Sequence, residues 1–287
     1  MRIFPTINLH LTAKCNYSCK FCFAHFNGVK RSLISKDKEN LVRIICEQPE
    51  IKKINFVGGE PTLIPELKDL LRIAHSFNKT TSLTTNGSLI NPEWVQEYSP
   101  FLDIISISID SDNLNTNIAS GRCDKHGHSL GPEHHYRISK ACHENGITLK
   151  VNTVVSRFNV NERITDYVNR LNPKRWKVFQ ALKVTGENSE LSSQYEIDDN
   201  EYKSYIQRNR KGLKSSIIMI VEDNELMRGS YLMVNPEGCF FDNTQGHYTV
   251  SEPILSLGFN NAIGQVEGDY PKFVLRGGDY SVDNDDN

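Results

Sequence analysis

Apolar and polar residues alternate with a period of two through six short stretches of the chain, at about 7–12, 53–57, 81–85, 104–110, 149–155 and 176–182. Between them the apolar residues recur at the three-and-four spacing of a helix. Leu41, Ile44 and Ile45 form the first such stripe, with Ser35 predicted as its N-cap. Leu67, Leu70, Leu71 and Ala74 form the second, and Asn91 and Pro92 read as cap and first residue of a third helix. Ile138, Ala141 and Cys142 mark a fourth, Ile164, Val168 and Leu171 a fifth, and Tyr202, Tyr205 and Ile206 a sixth. Strand and helix in regular alternation are the rhythm of parallel βα units, so the predicted fold is α/β, a partial (βα)6 barrel of the TIM type.

Each strand also has two faces. Ile7, Leu9 and Leu11, Ile54 and Phe56, Ile105, Ile107 and Ile109, Leu149 and Val151, and Trp176 and Val178 make one apolar line. Asn8, His10 and Thr12, Lys53 and Asn55, Ser82, Thr84 and Asn86, Ser106, Ser108 and Asp110, Lys150 and Asn152, and Arg175 and Lys177 make the other, which is polar. Helices must cover the apolar line, which turns the polar line toward the lumen. A closed barrel fills its lumen with branched apolar side chains, so a polar lumen implies a wider barrel that holds a ligand. An antiparallel sheet with one solvated face would show the same alternation, but it would not place helices between the strands.

Beyond about residue 213 the rhythm is expected to stop. A further apolar run covers 216–221, and the runs 231–234 and 239–241 flank Asn235-Pro236-Glu237-Gly238, which reads as a turn. The predicted organisation is a partial barrel over 1–213, an extension over 214–282 packed on it and closing its open side, and a disordered tail at 283–287.

At 287 residues and 38% hydrophobic content the chain can bury one large core. The net charge of −2 provides no dense basic surface for direct nucleic-acid binding, so any anionic ligand must be met by locally placed cations. Seven cysteines, three of them in one short run, do not make a secreted disulfide framework. The sequence shows neither a signal-peptide pattern nor an apolar run of membrane-spanning length, so it reads as a soluble, cytoplasmic monomer with no membrane attachment.

The candidate chemistry begins with that run. Cys15, Cys19 and Cys22 are separated by three and then two residues, and no fourth Cys follows at zinc-finger spacing. Three thiolates leave one metal position open, which suits an iron–sulfur cluster with one iron available to a small molecule, or a zinc site. Gly58 and Gly59 end the second strand, where glycines permit close backbone approach to a ligand, and Glu60 can bind an ammonium group. Lys53, Lys150, Arg175 and Lys177 all fall on the lumen line, and burying four cations together is unfavourable unless an anion answers them. A polyphosphate is the obvious anion. Cys46 and Cys142 fall on helix faces as core residues, and residues 126–135 read as a solvated histidine-bearing loop.

The CxxxCxxC run followed by Phe23 resembles the signature of radical S-adenosylmethionine enzymes, and Gly58-Gly59-Glu60-Pro61 resembles their GGEP element. More narrowly, CNYSCKFCF, KINFVGGEP, TTNGSLI, the segment from Lys150 to Val160, NPKRWKVFQ from Asn172, and Leu275-Arg276-Gly277-Gly278 are similar in order and spacing to the viperin family over nearly the whole chain. The resemblance implies conversion of a ribonucleoside triphosphate (CTP, UTP or GTP) to its 3′-deoxy-3′,4′-didehydro analogue, an antiviral RNA chain terminator. It implies a 4Fe–4S cluster on Cys15, Cys19 and Cys22, with S-adenosylmethionine at Gly58, Gly59, Glu60, Ser108 and Arg122. Lys53, Lys150, Arg175 and Lys177 would surround the nucleotide, mainly its triphosphate, and Asn8 and Asn152 the nucleoside. Tyr231 matches the position that delivers the final hydrogen or proton, and the electrons would come from a donor such as flavodoxin or ferredoxin. Two features depart from the animal members: this sequence lacks their N-terminal amphipathic helix, and Val57 stands where they have Ser. A radical maturase acting on a peptide and a non-catalytic zinc scaffold are the competing readings.

Overall fold

In a computed structural model, residues 3–278 are described. The strands are β1 (Thr6–His10), β2 (Lys53–Val57), β3 (Thr80–Thr85), β4 (Ile104–Ser108), β5 (Thr148–Val155), β6 (Arg175–Gln180), β7 (Ile218–Glu222), β8 (Leu232–Val234), β9 (Cys239–Asp242) and β10 (Thr249–Pro253). They form one sheet in the order β10-β9-β8-β1-β2-β3-β4-β5-β6-β7. From β8 through β1 to β7 every pairing is parallel, whereas β8–β9 and β9–β10 are antiparallel. The sheet is open, because β7 and β8 lie at separate ends of the parallel row and are not paired with each other.

The apolar line explains the build. Its twelve side chains are each no more than 2% exposed, and they share one core with Leu41, Ile45, Leu70, Leu71, Ala74, Ile138, Cys142, Val168, Leu171 and Tyr205 from the covering helices. Burying side chains of this kind contributes about 1.5–3 kcal/mol each, so the face choice of every strand is strongly enforced. The four lumen cations are nonetheless buried on the other face, at 5–7% exposure.

Four expectations change. The βα rhythm does not stop at residue 213, since the helix Asp199–Arg210 leads into β7, which pairs in parallel with β6 as a further unit. Ser35 is the first helical residue rather than the cap, and Ile34 at the cap position offers no side-chain bond, whereas Asn91 does cap its helix through Trp94 N. A short helix, Leu114–Ser120, follows β4 unannounced by any apolar stripe. Residues 126–135 are not one loop, because the helix Pro132–Glu144 already holds His134 and His135. His135 is buried against the Tyr167 hydroxyl, and desolvation lowers its pKa from 6.5 to about 3. His126 and His128 stay exposed around Asp124. Cys46 and Cys142 are core residues. The predicted tail at 283–287 lies outside the described residues. Among the described residues no helix is long and apolar enough to cross a membrane.

Candidate active site

Cys15 follows β1, Gly58 follows β2, Asn86 follows β3 and Asp110 follows β4, so four consecutive strands deliver their polar residues to the same, C-terminal end of the barrel. That is where βα loops converge and where barrels carry their chemistry. The cysteine loop is held from two sides by backbone bonds. Gly59 N donates to Thr12 O at 2.6 Å and Glu60 N to Lys14 O at 2.8 Å; opposite, Ser18 N donates to Gly121 O at 3.1 Å and Lys20 N to Ser120 O at 3.0 Å. A methyl group on Gly59 would fall inside the van der Waals shell of the Lys14 carbonyl, and one on Gly121 inside that of the Ser18 carbonyl. Gly121 also has φ of 81°, the left-handed conformation that glycine adopts freely.

Gly59 and Gly121 therefore admit the cysteine loop's own backbone at close range. Overpacking a rigid backbone contact costs about 1–3 kcal/mol. Gly59→Ala should accordingly lower the thermal unfolding midpoint by several degrees and reduce iron retained after anaerobic reconstitution. An unchanged midpoint with full iron content would show that the loop tolerates displacement.

Glu60 is 1% exposed, and four donors reach its carboxylate: Thr62 N (3.1 Å) and Thr62 Oγ1 (2.6 Å), Thr85 Oγ1 (2.7 Å) and Asn86 N (2.7 Å). Burial still pushes its pKa up, although these bonds act the other way. Oε1 takes three of the four bonds and Oε2 one, which leaves Oε2 capacity for a further donor. Asn86 Nδ2 in turn holds Asn16 Oδ1 at 2.8 Å and stands 4.0 Å from Cys15 Sγ, and Asn16 Nδ2 donates to Ser88 Oγ at 2.8 Å. The TTNG segment thus positions the cysteine loop, a function its sequence did not announce.

Arg122 pairs through Nε with Oδ2 of Asp110, whose Oδ1 accepts from Val154 N at 2.8 Å. Burial disfavours the guanidinium charge, but Asp110 and the thiols of Cys19 and Cys22 more than offset this and raise its pKa. With Nε committed to Asp110, the Nη atoms are the donors left to meet a carboxylate side-on. Desolvation pushes the Cys19 thiol up to about 12 and the Cys22 thiol to about 11, so each thiolate needs a metal to displace its proton. Among the described residues no three His, Cys, Asp or Glu side chains converge on a single-ion site. An iron–sulfur cluster takes one thiolate per iron, so three thiols on one loop beside the partly buried Arg122 fit it without meeting at a point.

Deeper in the lumen, nearer the strand N-termini, registers set the polar rows. Ser106, Lys150 and Arg175 lie side by side across β4, β5 and β6, and Ser108, Asn152 and Lys177 form the next row toward the mouth. Lys53 opens β2, and Asn8 accepts from Asn55 Nδ2 at 3.0 Å, which in turn accepts from Thr84 through Oδ1 at 3.1 Å. Among the described residues Ser106 Oγ and Asn152 Oδ1 are buried without a hydrogen-bond partner, a cost that a bound ligand would remove.

Lys177 has a protein anion that the sequence reading missed, Glu222, which ends β7 and is wholly buried. Burial favours the neutral acid, but Lys177 and Arg276 outweigh it and lower the Glu222 pKa. Tyr231, which immediately precedes β8, donates its hydroxyl to the same carboxylate. The signal available was a lone acid closing an apolar strand, residues 218–222, which sequence alone does not distinguish from a strand end reaching solvent.

A profile of the radical SAM superfamily matches residues 9–171, more than half of the chain, and the chain belongs to that superfamily. A solved structure of native anSMEcpe with bound AdoMet superposes with a TM-score of 0.69 over 94% of this chain and 82% of that one, at 16% identity, which supports the fold. The S-adenosylmethionine-dependent nucleotide dehydratase of Flammeovirga pacifica is 39% identical over 285 residues, covering 97% of this chain and 96% of the relative. The dehydratase RSAD2 of Siniperca chuatsi is 35% identical, covering 96% and 79% respectively. Within the superfamily the chain is a member of the S-adenosylmethionine-dependent nucleotide dehydratases, the viperins.

Proposed function

We propose that this protein dehydrates a ribonucleoside triphosphate, CTP, UTP or GTP, to the 3′-deoxy-3′,4′-didehydro nucleotide, an antiviral chain terminator directed at phage. The observation that carries this reading is the stacking of two zones along one lumen: a thiol loop with Glu60 and Arg122 at the mouth, and rows of buried cations beneath it. The 4Fe–4S cluster with S-adenosylmethionine supplies a 5′-deoxyadenosyl radical able to take the ribose 4′-hydrogen. Cys15, Cys19 and Cys22 hold the cluster. Glu60 binds the methionine ammonium through Oε2, Arg122 its carboxylate through the Nη atoms, and Gly58, Gly59 and Ser108 line the same cofactor.

Lys53, Lys150, Arg175 and Lys177 bind the triphosphate and so fix the ribose below the cofactor, with Asn8 and Asn152 beside the nucleoside. Loss of the 4′-hydrogen and of the 3′-hydroxyl as water leaves a species that needs one electron and one proton. Tyr231, whose hydroxyl is 3.5 Å from Lys177 Nζ, is the donor of the proton, and the electron comes from a flavodoxin- or ferredoxin-type protein. The protein works as a monomer in the cytoplasm. Mass spectrometry after anaerobic incubation with S-adenosylmethionine, a reductant and each of the four nucleoside triphosphates tests the reading. A product 18 mass units lighter than its substrate, formed with 5′-deoxyadenosine, is expected from at least one of them; deoxyadenosine without any such product would overturn it.

A further inference from the structure

Glu222 serves three partners at the seam of the open barrel. Its Oε1 pairs with Lys177 Nζ and lies 3.7 Å from Arg276 Nη1, while its Oε2 accepts the Tyr231 hydroxyl. The Arg276 guanidinium sits 3.6 Å from the centre of the Tyr231 ring, and its Nε and Nη2 donate to Ser230 O at 3.0 and 2.9 Å. Lys177 comes from β6 and Glu222 from β7 at one end of the parallel row; Tyr231 precedes β8 at the other. Two cations share this carboxylate in a site where Glu222 is 0% and Arg276 6% exposed. An anion that binds Lys177 must share it with Glu222, and a phenol bonded to a fixed carboxylate has one orientation.

We propose that Glu222 is the positioning residue for Tyr231 and the resident counter-ion of Lys177 and Arg276, with which an incoming triphosphate competes. This rests on the reading that a nucleoside triphosphate occupies the lumen. The triphosphate takes over part of the field of Lys177 and Arg276, while the carboxylate retains the phenol and holds it at the reacting end of the nucleotide. A purely structural pin across the seam would change stability alone, whereas a positioning residue changes how many radicals are converted to product.

Calorimetric titration of the cluster-loaded, unreduced enzyme with CTP and with cytidine, followed by turnover, separates the two. Glu222→Gln removes the competing charge, so CTP should bind about tenfold more tightly while cytidine binding stays as in the wild type. Under turnover the same variant should still form 5′-deoxyadenosine but yield at least about fivefold less didehydro product per deoxyadenosine. Tyr231→Phe should lose coupling similarly, and combining the two substitutions should lose no more, because the pair acts as a unit. Glu222→Asp keeps the charge but shortens its reach, so wild-type CTP affinity with reduced coupling is expected, and it carries the test should the Gln variant fail to fold. Weaker or unchanged CTP binding in Glu222→Gln would overturn the counter-ion role, and unchanged coupling would overturn the positioning role. If wild-type enzyme bound none of CTP, UTP and GTP, the nucleotide reading itself would fall, and this inference with it.

Discussion

Replacing Cys15, Cys19 or Cys22 with Ala should abolish iron loading and with it all formation of 5′-deoxyadenosine. The three thiols lie on the one loop that Gly59 and Gly121 clamp from both sides, and His25, the next candidate ligand along the chain, has Nδ1 3.4 Å from the Glu187 carbonyl oxygen. Burial raises the Cys19 thiol to about 12 and the Cys22 thiol to about 11, so neither is a ready thiolate until metal displaces the proton. Loss of one ligand therefore removes a metal bond that was also answering the desolvation of its neighbours. Iron and sulfide analysis after anaerobic reconstitution, with the visible absorbance of the cluster, reads the effect. Stoichiometric zinc without iron in the wild type would instead make this loop a zinc site.

The second large effect concerns the substrate. Removing the phosphates should weaken binding at least about a hundredfold, far more than exchanging one base for another, because charge-assisted bonds contribute about 1.5–3 kcal/mol each and neutral ones about 0.5–1.5. Lys150 and Arg175 sit side by side in register and Lys177 one row nearer the mouth, so one polyphosphate chain can lie along all three. Lys150→Met and Arg175→Met should each narrow the preference for triphosphate over nucleoside while leaving the order of preference among bases unchanged. Competition binding of CTP, CMP and cytidine measures it. Equal affinity for cytidine and CTP would return these cations to a role in the fold.

The fold was legible because both of its periods are local. Alternation in Ile105, Ile107 and Ile109 against Ser106 and Ser108 states which face of a strand meets helices, and burial enforces that choice in the structure. Local signals failed where a neighbour in space overrode them. Ser35 has the chemistry of a cap but enters the first turn of its helix, and His135 reads as a loop residue but belongs to a helix packed on Tyr167. The run at 216–221 carries no mark of its direction, so nothing in it showed that β7 would extend the parallel row rather than end it.

Chemistry divides along the same line. Cys15, Cys19 and Cys22, the strand-ending Gly58-Gly59-Glu60, and the cations on alternate strand positions are determined by spacing within single segments, and spacing is preserved when the chain folds. What those residues touch was decided only by tertiary structure. Gly59 meets the Lys14 carbonyl, Arg122 spends Nε on Asp110, and Lys177 finds Glu222 on the neighbouring strand β7 and Tyr231 across the open seam of the barrel. Lys177 is 45 positions from Glu222 and 54 from Tyr231, and such partners are chosen by how the sheet curves and which buried charge lacks an answer, neither of which any single segment encodes.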